Sequence, residues 1–452
     1  MGSKARQWFD KLLQRPERLL ALGFLVLILV GSALLSLPVS ARNGQGIGYF
    51  NGLFTATSAV CVTGLVAVDT ATAFAPFGQA VLLVLIQVGG LGFMVFATLV
   101  MSMLGHRFSL KGRMLIRESM NVTSAAGLVK LSRIYGLMAL GIELIGAALL
   151  AVRFVPAYGW GRGLWFSLFH AVSAFCNAGF DLMGHFSSLT AFSRDPLVLL
   201  TVAGLIILGG LGFSVILETV RRKESGRGLS LHARIVLVTT GVLLLAGTLF
   251  YGAMENSRTL NGGAGENVLN AFFQSVTMRT AGFNSVDLSA MSDGSKFFSC
   301  LLMLVGASPA STGGGIKTTT VAAVILLVVS VVKGENEVNI ARRRLGAGIA
   351  LRALAVTAIA LGMLILGTLL ITVFEGGRYP LSDILFETSS AVATVGVSSI
   401  GSPNLSLPSR ITLLPMMFLG RVGPMTLAVA LAKRQTKAVN QIKYPEEQIM
   451  IG

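Results

Sequence analysis

Four short strings that each end in glycine carry the clearest chemical signal in this sequence of 452 residues. In each string the glycine follows a phenylalanine by ten residues, and these phenylalanines are Phe54, Phe169, Phe272 and Phe386. The strings, numbered 1 to 4 in chain order, are Cys61-Val62-Thr63-Gly64, Cys176-Asn177-Ala178-Gly179, Arg279-Thr280-Ala281-Gly282 and Ala393-Thr394-Val395-Gly396. Because glycine adopts positive φ without strain, successive carbonyl oxygens can turn toward a common axis. Rings of carbonyl oxygens replace the water shell of a cation, so the strings predict a cation selectivity filter.

A serine at the fourth position after the phenylalanine adds to the repeat in three strings, as Ser58, Ser173 and Ser390. The alternative is that the glycines only permit close helix packing. Packing does not require the same phenylalanine offset four times, so we favour the filter. For a second repeat we favour packing instead: Gly89-Gly90-Leu91-Gly92-Phe93 recurs as Gly209-Gly210-Leu211-Gly212-Phe213.

A candidate gate follows string 3, within the apolar segment 297–332. This segment has 36 residues without Asp or Glu, and as one helix it would be about 54 Å long, far more than the hydrocarbon thickness of about 30 Å. It must therefore be broken, and the candidate break consists of Gly306, Ala307, Ser308, Pro309, Ala310, Ser311, Thr312, Gly313, Gly314 and Gly315, followed by Lys317. We expect a loop beneath string 3 that acts as a gate; the alternative is a passive kink.

Arg421 lies near the middle of the last apolar segment. A charge inside a membrane is costly and usually marks an ion path or an interior partner. Below a cation filter it would act as an electrostatic barrier, so we assign it to the gate. The alternative is a structural ion pair with Glu143 or Glu218.

The elements that hold these residues are predicted to cross a membrane. The chain is 53% hydrophobic and 12% charged, whereas ordinary soluble domains carry about 25% charged residues. A span needs about 20 apolar residues, and eight segments qualify: 19–37, 78–104, 134–152, 196–217, 235–254, 297–332, 353–374 and 411–432. The first segment has no convincing cleavage site and is longer than a signal sequence requires, so we interpret it as a mature helix. The strings lie between spans, on stretches of about a dozen residues that are too short to cross.

The fold class is therefore an all-α membrane protein with four parallel helix, pore-helix, helix repeats around a central ion pore. Parallel repeats follow from units that all begin on the same side, unlike the inverted repeats of rocking transporters. The predicted organisation is a cytoplasmic amino terminus at 1–18, repeat 1 at 19–104, a linker at 105–133, repeat 2 at 134–219, a linker at 220–234, repeat 3 with its broken last helix at 235–334, a linker at 335–352, repeat 4 at 353–432 and a cytoplasmic tail at 433–452.

The distribution of charge sets the predicted orientation. The net charge is +16, and 25 of the 36 basic residues fall in the termini and in the links after spans two, four and six. By the positive-inside rule these parts are cytoplasmic, which removes the support for a nucleic-acid partner. Eight basic and ten acidic residues fall outside, so the outer mouth is slightly negative and favours cations.

Enzyme classes find no support in the sequence. Cys61, Cys176 and Cys300 are far apart in apolar sequence, and we interpret them as small apolar residues. The four histidines are scattered and show no metal-ligand spacing. No paired carboxylates or nucleophile and base arrangement is visible, so we expect a protein that is not an enzyme.

The motifs resemble those of the superfamily of K⁺ transporters that includes the Trk, Ktr and HKT proteins. The resemblance rests on residues 62–65, 177–180 and 279–284, on the small-residue loop before Lys317, and on residues 420–424, and it extends to Tyr444-Pro445 and Gly452. Eight spans without an additional amino-terminal pair favour the membrane subunits of Ktr systems. Cys61 is a departure, since a hydroxyl residue is commoner there; because backbone carbonyls coordinate the ion, we expect little effect.

The resemblance implies a pore subunit of a Na⁺-dependent K⁺ uptake system, with K⁺ bound at the strings. Glycine at all four filter positions, including Gly64, implies selectivity for K⁺; the alternative is a Na⁺-permeable or poorly selective channel of the same fold. The resemblance also implies a homodimer with one pore per subunit, a cytosolic ring of nucleotide-binding regulatory subunits of the KtrA type, a site for activating Na⁺ at an unassigned position, and a location in the bacterial inner membrane.

Overall fold

A computed structural model describes residues 16–92, 128–225, 228–334, 338–340 and 343–423, and these are almost entirely helical. The helices are α1 Pro16–Ser36, α2 Tyr49–Val60, α3 Thr70–Ala73, α4 Pro76–Leu91, α5 Leu128–Tyr158, α6 Trp160–Phe175, α7 Pro196–Leu211, α8 Phe213–Ser225, α9 Leu231–Met254, α10 Ala264–Thr277, α11 Asp293–Leu304, α12 Thr318–Val332, α13 Ala347–Glu375, α14 Leu381–Val392 and α15 Leu407–Val422. Short 3₁₀ turns occur at Pro38–Ser40, Thr190–Phe192 and Ser402–Asn404.

The linker predicted at 335–352 is not simply a connection. Two strands, β1 Val338–Ile340 and β2 Arg343–Leu345, pair in antiparallel fashion, and α13 begins at Ala347. The expectation of a purely α-helical chain therefore needs a small correction. The ribbon lies between α12 and α13 in the chain.

Three described helices are long and apolar enough to cross a membrane by themselves: Val129–Tyr158, Leu231–Met254 and Gly348–Glu375. The span predicted over 196–217 is not one straight helix, because α7 and α8 meet at Gly212 with a bend of 97°. Gly212 has a φ of 92°, which ends the helix although the sequence stays apolar. If the bent pair counts as one span, the described residues supply four. The number eight therefore stays a prediction.

The predicted spans 78–104 and 411–432 lie only partly within the described residues. Helix α4 ends at Leu91 and α15 ends at Val422, each followed by a glycine with positive φ, Gly92 and Gly423. The segment 297–332 is divided between α11 and α12 by the stretch 305–317. The predicted amino terminus at 1–15, the link 105–127, residues 93–104 and the tail from 424, including Tyr444-Pro445 and Gly452, fall outside the described residues.

The short helices α2, α6, α10 and α14 each precede one string, and their lengths are 12, 16, 14 and 12 residues. Each packs against the long helix before it: α1, α5, α9 and α13 respectively. Each short helix forms a group with the long helix before it and the helix after its string. It also packs against the last helix of another group: α4 lies on α6, α7 on α10, α11 on α14 and α15 on α2. The last contact returns to the first group, so the four groups of helices follow one another around a closed circle.

Phenylalanines anchor the short helices in the interior. Phe54, Phe169 and Phe386 are fully buried. Phe272 is only partly buried, and its neighbour Phe273 is fully buried instead. The sequence pattern therefore gave the correct core residue in three of the four short helices.

Candidate cation filter and gate

All four strings share one backbone conformation. The residue two positions before each glycine has a positive φ, with values of 54° at Val62, 58° at Asn177, 67° at Thr280 and 52° at Thr394. This region is unfavourable for β-branched residues, which occupy it in three of the four strings. Strain of this kind persists only where the surrounding structure fixes it, and it is concentrated at functional sites.

The four strings meet in a closed ring. A β-carbon added at Gly64 would lie 2.6 Å from the carbonyl oxygen of Ala178, the residue before the glycine of string 2. The same test places Gly179 against the carbonyl oxygen of Ala281 at 2.8 Å and Gly282 against that of Val395 at 2.6 Å. Gly396 in turn lies against the carbonyl oxygen of Thr63. Each glycine thus faces the carbonyl that precedes the next glycine, and no side chain fits at any of the four positions.

Hydroxyl groups of the short helices hold the strings. The amide of Gly64 donates to Ser58 Oγ at 3.0 Å, and that of Gly396 donates to Ser390 Oγ at 2.9 Å. In string 2 the contact differs, because Ser173 Oγ donates to the carbonyl of Phe180 at 2.7 Å. The serine spacing in the sequence therefore marked three bracing residues.

String 3 uses a threonine for the same purpose. Thr277 Oγ1 donates to the carbonyl oxygen of Phe283, which follows Gly282. Sequence reasoning missed Thr277, because it lies five residues after Phe272 and the serines lie four residues after their phenylalanines. A search for any hydroxyl residue near that position would have found it.

A cavity of about 400 Å³ opens on one side of the ring, and its walls include the glycines of all four strings. Asp69, Asp181 and Asp287 also line it. Burial, together with the nearby Asp69 carboxylate, raises the pKa of Asp181 to about 6. The cavity is therefore a vestibule with negative charge, which attracts cations.

On the opposite side of the strings lies the loop of residues 306–315, called the gate loop below. A β-carbon on Gly313 would meet Thr280 Oγ1, and one on Gly314 would meet Thr394 Oγ1. A β-carbon on Gly315 would lie 3.3 Å from the carbonyl oxygen of Ala393, the first residue of string 4. Because the three consecutive glycines have no side chains, the backbone of the loop lies directly against strings 3 and 4.

The gate loop is fastened to the end of α7. The amide of Ser308 donates to the carbonyl of Gly210 at 2.9 Å, and the amide of Thr312 donates to that of Gly209 at 3.1 Å. Thr312 Oγ1 also donates to the carbonyl of Phe175 at 2.9 Å. The loop is thus an ordered element with backbone partners on a neighbouring group of helices.

Arg421 crosses from the last helix to the first group and to the gate loop. Its guanidinium donates to the carbonyl oxygens of Thr312 and Gly89, and it donates to that of Gly90 at 3.1 Å. Within the described residues it contacts no carboxylate. The alternative of an ion pair is therefore wrong: Glu143 accepts from Gln87, and Glu218 accepts from the amide and hydroxyl of Ser230.

The remaining candidate residues are distributed around the same loop. Lys317 Nζ donates to the carbonyl of Gly313 at 2.6 Å, and Ser311 Oγ donates to that of Ser308 at 2.5 Å. The backbone oxygen of Pro309 faces Gly212 at the end of α7. Arg279 is buried in string 3, where its Nη2 lies 3.4 Å from the carbonyl oxygen of Gly306. The structure therefore brings all the sequence-predicted filter and gate residues into one region.

Several residues of this region were not predicted to take part. The carbonyls of Gly89, Gly90, Gly209 and Gly210 accept the bonds described above, although the sequence suggested only packing for these glycines. That packing is confirmed as well, since Gly89 lies against the carbonyl of Val60 and Gly209 against that of Phe175.

Comparisons with known proteins give one consistent picture. A family model described as "TrkH: Cation transport protein" matches residues 25–441. The chain is 40% identical over 442 residues to the Ktr system potassium uptake protein B of Bacillus subtilis, with 97% of both chains covered. It is 38% identical over 445 residues to the potassium/sodium uptake protein NtpJ of Enterococcus hirae, again with 97% of both covered.

A solved structure shares the fold. The crystal structure of the potassium transporter TrkH from Vibrio parahaemolyticus superposes with a TM-score of 0.67, covering 90% of this chain and 84% of that one. Sequence identity over this match is 16%, so the likeness concerns the fold alone.

Proposed function

The chain belongs to the TrkH family of cation transport proteins, and we propose that it is the pore-forming membrane subunit of a Na⁺-dependent K⁺ uptake system. As a helical membrane protein of this family, it is similar over nearly its whole length to relatives named for potassium uptake. In this proposal K⁺ is the transported ion and Na⁺ activates transport. The residues that bind K⁺ are those of strings 1 to 4.

The observation that carries the proposal is the ring of four glycines. Carbonyl rings suit a monovalent cation because they replace its water shell without adding a full charge. In this ring the same backbone conformation occurs four times, and no side chain lies at the closest contacts between the strings. Backbone carbonyls can therefore line the pathway. The acidic vestibule supplies the ion to this ring from the outer side.

The gate in this proposal consists of the gate loop, Lys317 and Arg421. The loop lies directly beneath strings 3 and 4, and the guanidinium of Arg421 is fixed beside it on three carbonyls. A fixed positive charge near the pathway raises the free energy of a passing cation by a few kcal/mol at about 4 Å and an effective dielectric constant of about 20. The loop blocks the pathway and the charge opposes leak.

We further propose a homodimer with one pore per subunit, placed in the inner membrane of a bacterial cell with both termini in the cytoplasm. The basic links and termini, which hold 25 of the 36 basic residues, then face a cytosolic ring of nucleotide-binding regulatory subunits of the KtrA type. Size determination by light scattering in detergent tests the dimer, and a K⁺ flux that changes on adding such a ring tests the partner.

The alternative is a Na⁺-permeable or poorly selective cation channel of the same fold. It is favoured by the similarity to the Enterococcus hirae relative, whose name includes sodium. Relative uptake of K⁺, Rb⁺ and Na⁺ by the purified protein in proteoliposomes separates the two functions.

The decisive experiment measures ⁸⁶Rb⁺ uptake into proteoliposomes with Na⁺ as competitor, for the natural protein and for Gly64→Ser. A side chain at Gly64 meets the carbonyl of Ala178, so we expect the variant to lose about ten-fold in preference for Rb⁺. Gly204→Ser is the matched control, since a β-carbon at Gly204 meets nothing within 4 Å. An unchanged preference in a folded Gly64→Ser protein contradicts the filter assignment.

A further inference from the structure

We propose that Glu143 and Gln87 are positioning residues that set the selectivity of the filter by holding string 2 through the thiol of Cys176. The inference rests on the proposed function, because it concerns the same filter. It adds a specificity determinant on two helices outside the strings.

The three side chains form one buried cluster. Gln87 Nε2 lies 3.0 Å from each carboxylate oxygen of Glu143 and donates to them. The Cys176 sulfur lies 3.6 Å from Gln87 Oε1 and 3.9 Å from Glu143 Oε1. Glu143 is 2% exposed and Cys176 is fully buried. The amide of Gln87 thus presents its nitrogen to the acid and its oxygen to the thiol.

Each member of the cluster belongs to a different element. Gln87 lies on α4, Glu143 lies on α5, and Cys176 is both the residue that ends α6 and the first residue of string 2. A carboxyl group at membrane depth is costly, and an apolar side chain would fill the same space. Packing alone therefore does not explain the cluster, and among the described residues it reaches the strings through Cys176.

The other strings begin differently. String 4 begins with Ala393, which has no polar side chain, and string 3 begins with Arg279, which faces the gate loop. Among the described residues the thiol of Cys61 in string 1 forms no hydrogen bond. String 2 is thus fastened at its first side chain to two helices from two groups, and a movement of α4 against α5 reaches the filter through this cluster.

A cavity of about 230 Å³ borders the pair on its other side, and apart from Gln87 and Glu143 its walls are apolar: Leu83, Val84, Leu140, Leu144, Leu168 and Val172. No polar wall residue competes for the carboxyl group or the amide there. Their orientation is consequently set by each other and by Cys176. Leu144 lines the same cavity one residue after Glu143 and is 62% exposed, so it offers a matched control.

The test measures Rb⁺ uptake against Na⁺ competition in proteoliposomes, together with the melting temperature, for Glu143→Ala, Glu143→Gln, Cys176→Ala and the double variant. We expect Glu143→Ala to reduce the Rb⁺ over Na⁺ preference about five-fold, as for the loss of one ordinary hydrogen bond. Glu143→Gln retains an acceptor and should stay within about two-fold of the natural protein. The control Leu144→Ala should leave the preference unchanged.

Cys176→Ala keeps the test independent of the stability of the acid variants. Alanine is the residue that string 4 carries at this position, so the string backbone accepts it. The double variant should show no further loss beyond Glu143→Ala, because both changes remove the same connection. Additive losses, or a lower melting temperature without any change in preference, overturn the inference.

The filter variant Gly64→Ser separates this inference from the proposed function. If Gly64→Ser lowers the preference and neither Glu143→Ala nor Cys176→Ala does, the cluster is structural only and the filter assignment stands. If Gly64→Ser leaves the preference unchanged, the filter assignment fails and the inference fails with it.

Discussion

Two helix ends with identical sequence have different partners in this molecule. Helices α4 and α7 both end in Gly-Gly-Leu-Gly, and their last glycines, Gly92 and Gly212, have φ values of 80° and 92°. Their first glycines pack in the same way on the carbonyl that precedes a string. The carbonyls at the end of α4, however, accept from the side chain of Arg421, whereas those of α7 accept from backbone amides of the gate loop.

The difference shows how one local sequence serves two purposes. Both ends expose carbonyl oxygens, which carry partial negative charge at a helix carboxyl terminus. At α4 this charge is neutralised by a cation that a single substitution removes. At α7 it is satisfied by amides that are lost only if the loop itself moves. The α7 end is therefore held to the gate loop through backbone amides, and the α4 end is held to the last helix through the side chain of Arg421.

Removal of the Thr312 amide from the end of α7 should have the largest effect. Deleting residues 310–313 takes the Thr312 amide from the end of α7 and shortens the loop beneath the filter. We expect Rb⁺ uptake to rise about ten-fold or more, which corresponds to a barrier lower by about 1.4 kcal/mol. The uptake of proteoliposomes with equal amounts of folded protein measures it, and a rate at or below that of the natural protein identifies the loop as purely structural.

Removal of the cation at α4 should act on both rate and stability. Arg421→Ala leaves the carbonyls of Gly89, Gly90 and Thr312 without this donor, so we expect a loss of about 1–3 kcal/mol in the free energy of unfolding. Uptake should rise several-fold, because the fixed charge is lost.

Arg421→Lys is the control for this pair of effects. Lysine retains the charge but lacks the planar group that reaches several acceptors. Compared with Arg421→Ala, the uptake rate of Arg421→Lys should return more fully to that of the natural protein than its melting temperature does. Equal recovery of both quantities would mean that charge alone explains the role of Arg421, and that the comparison of the two helix ends has no energetic basis.

The packing that the two ends share should respond equally to mutation. A β-carbon at Gly89 meets the carbonyl of Val60, and one at Gly209 meets that of Phe175. Overpacking costs about 1–3 kcal/mol, so Gly89→Ala and Gly209→Ala should lower the melting temperature by similar amounts. At Gly141 and Gly204 a β-carbon meets nothing within 4 Å. Alanine there should be neutral or stabilising, by up to about 1 kcal/mol.

The smallest effect is expected at the vestibule, which neither helix end lines. The raised pKa of Asp181, about 6 against an ordinary value of 3.8, means that this acid is neutral in the folded protein below pH 6. Lowering the external pH from about 7.5 to about 5.5 should therefore reduce Rb⁺ uptake at limiting concentration by about two-fold. Asp181→Asn should remove that dependence.

The sign for stability is opposite to that of a salt-bridged carboxylate. Because the folded protein binds this proton more tightly than the unfolded chain, Asp181 reduces stability as pH rises from about 4 to about 6. The melting temperature of Asp181→Asn should accordingly exceed that of the natural protein above pH 6. A difference that persists unchanged at pH 4 would contradict this account.

The sequence predicted the helical class and located the residues that meet in the structure. Spacing was sufficient to locate the strings, because a phenylalanine precedes each glycine by ten residues, although in the third short helix the fully buried residue is Phe273 and not Phe272. The length of the segment 297–332 required a break, since no bilayer holds a straight helix of 36 residues, and its run of small residues located that break at 306–315. Assignment of these residues to a filter and a gate stays a prediction.

The helix ends at Leu91 and Leu211 could not be predicted, because the segments remain apolar beyond them and hydropathy does not register a bend. The partner of Arg421 was sought among acids, but its acceptors are backbone carbonyls, which every residue has and no residue type reveals. Glu143 was named only as a possible partner of Arg421. Its contact with Gln87 joins positions 56 residues apart, and no local pattern connects them.

The closed circle of helices has a consequence for biosynthesis. Arg421 reaches Gly89 across 332 residues of chain, and the glycine of string 4 completes the ring against string 1. At about 5–20 residues per second, a ribosome needs about 15–70 seconds to synthesise that interval. Strings 2 and 3 are made during this time, and until string 4 follows, the ring has an open side and the strained backbone of string 1 lacks its last neighbour. A nascent chain arrested before Gly396 should therefore remain accessible to a thiol reagent at Cys61, and release of the complete chain should protect that cysteine.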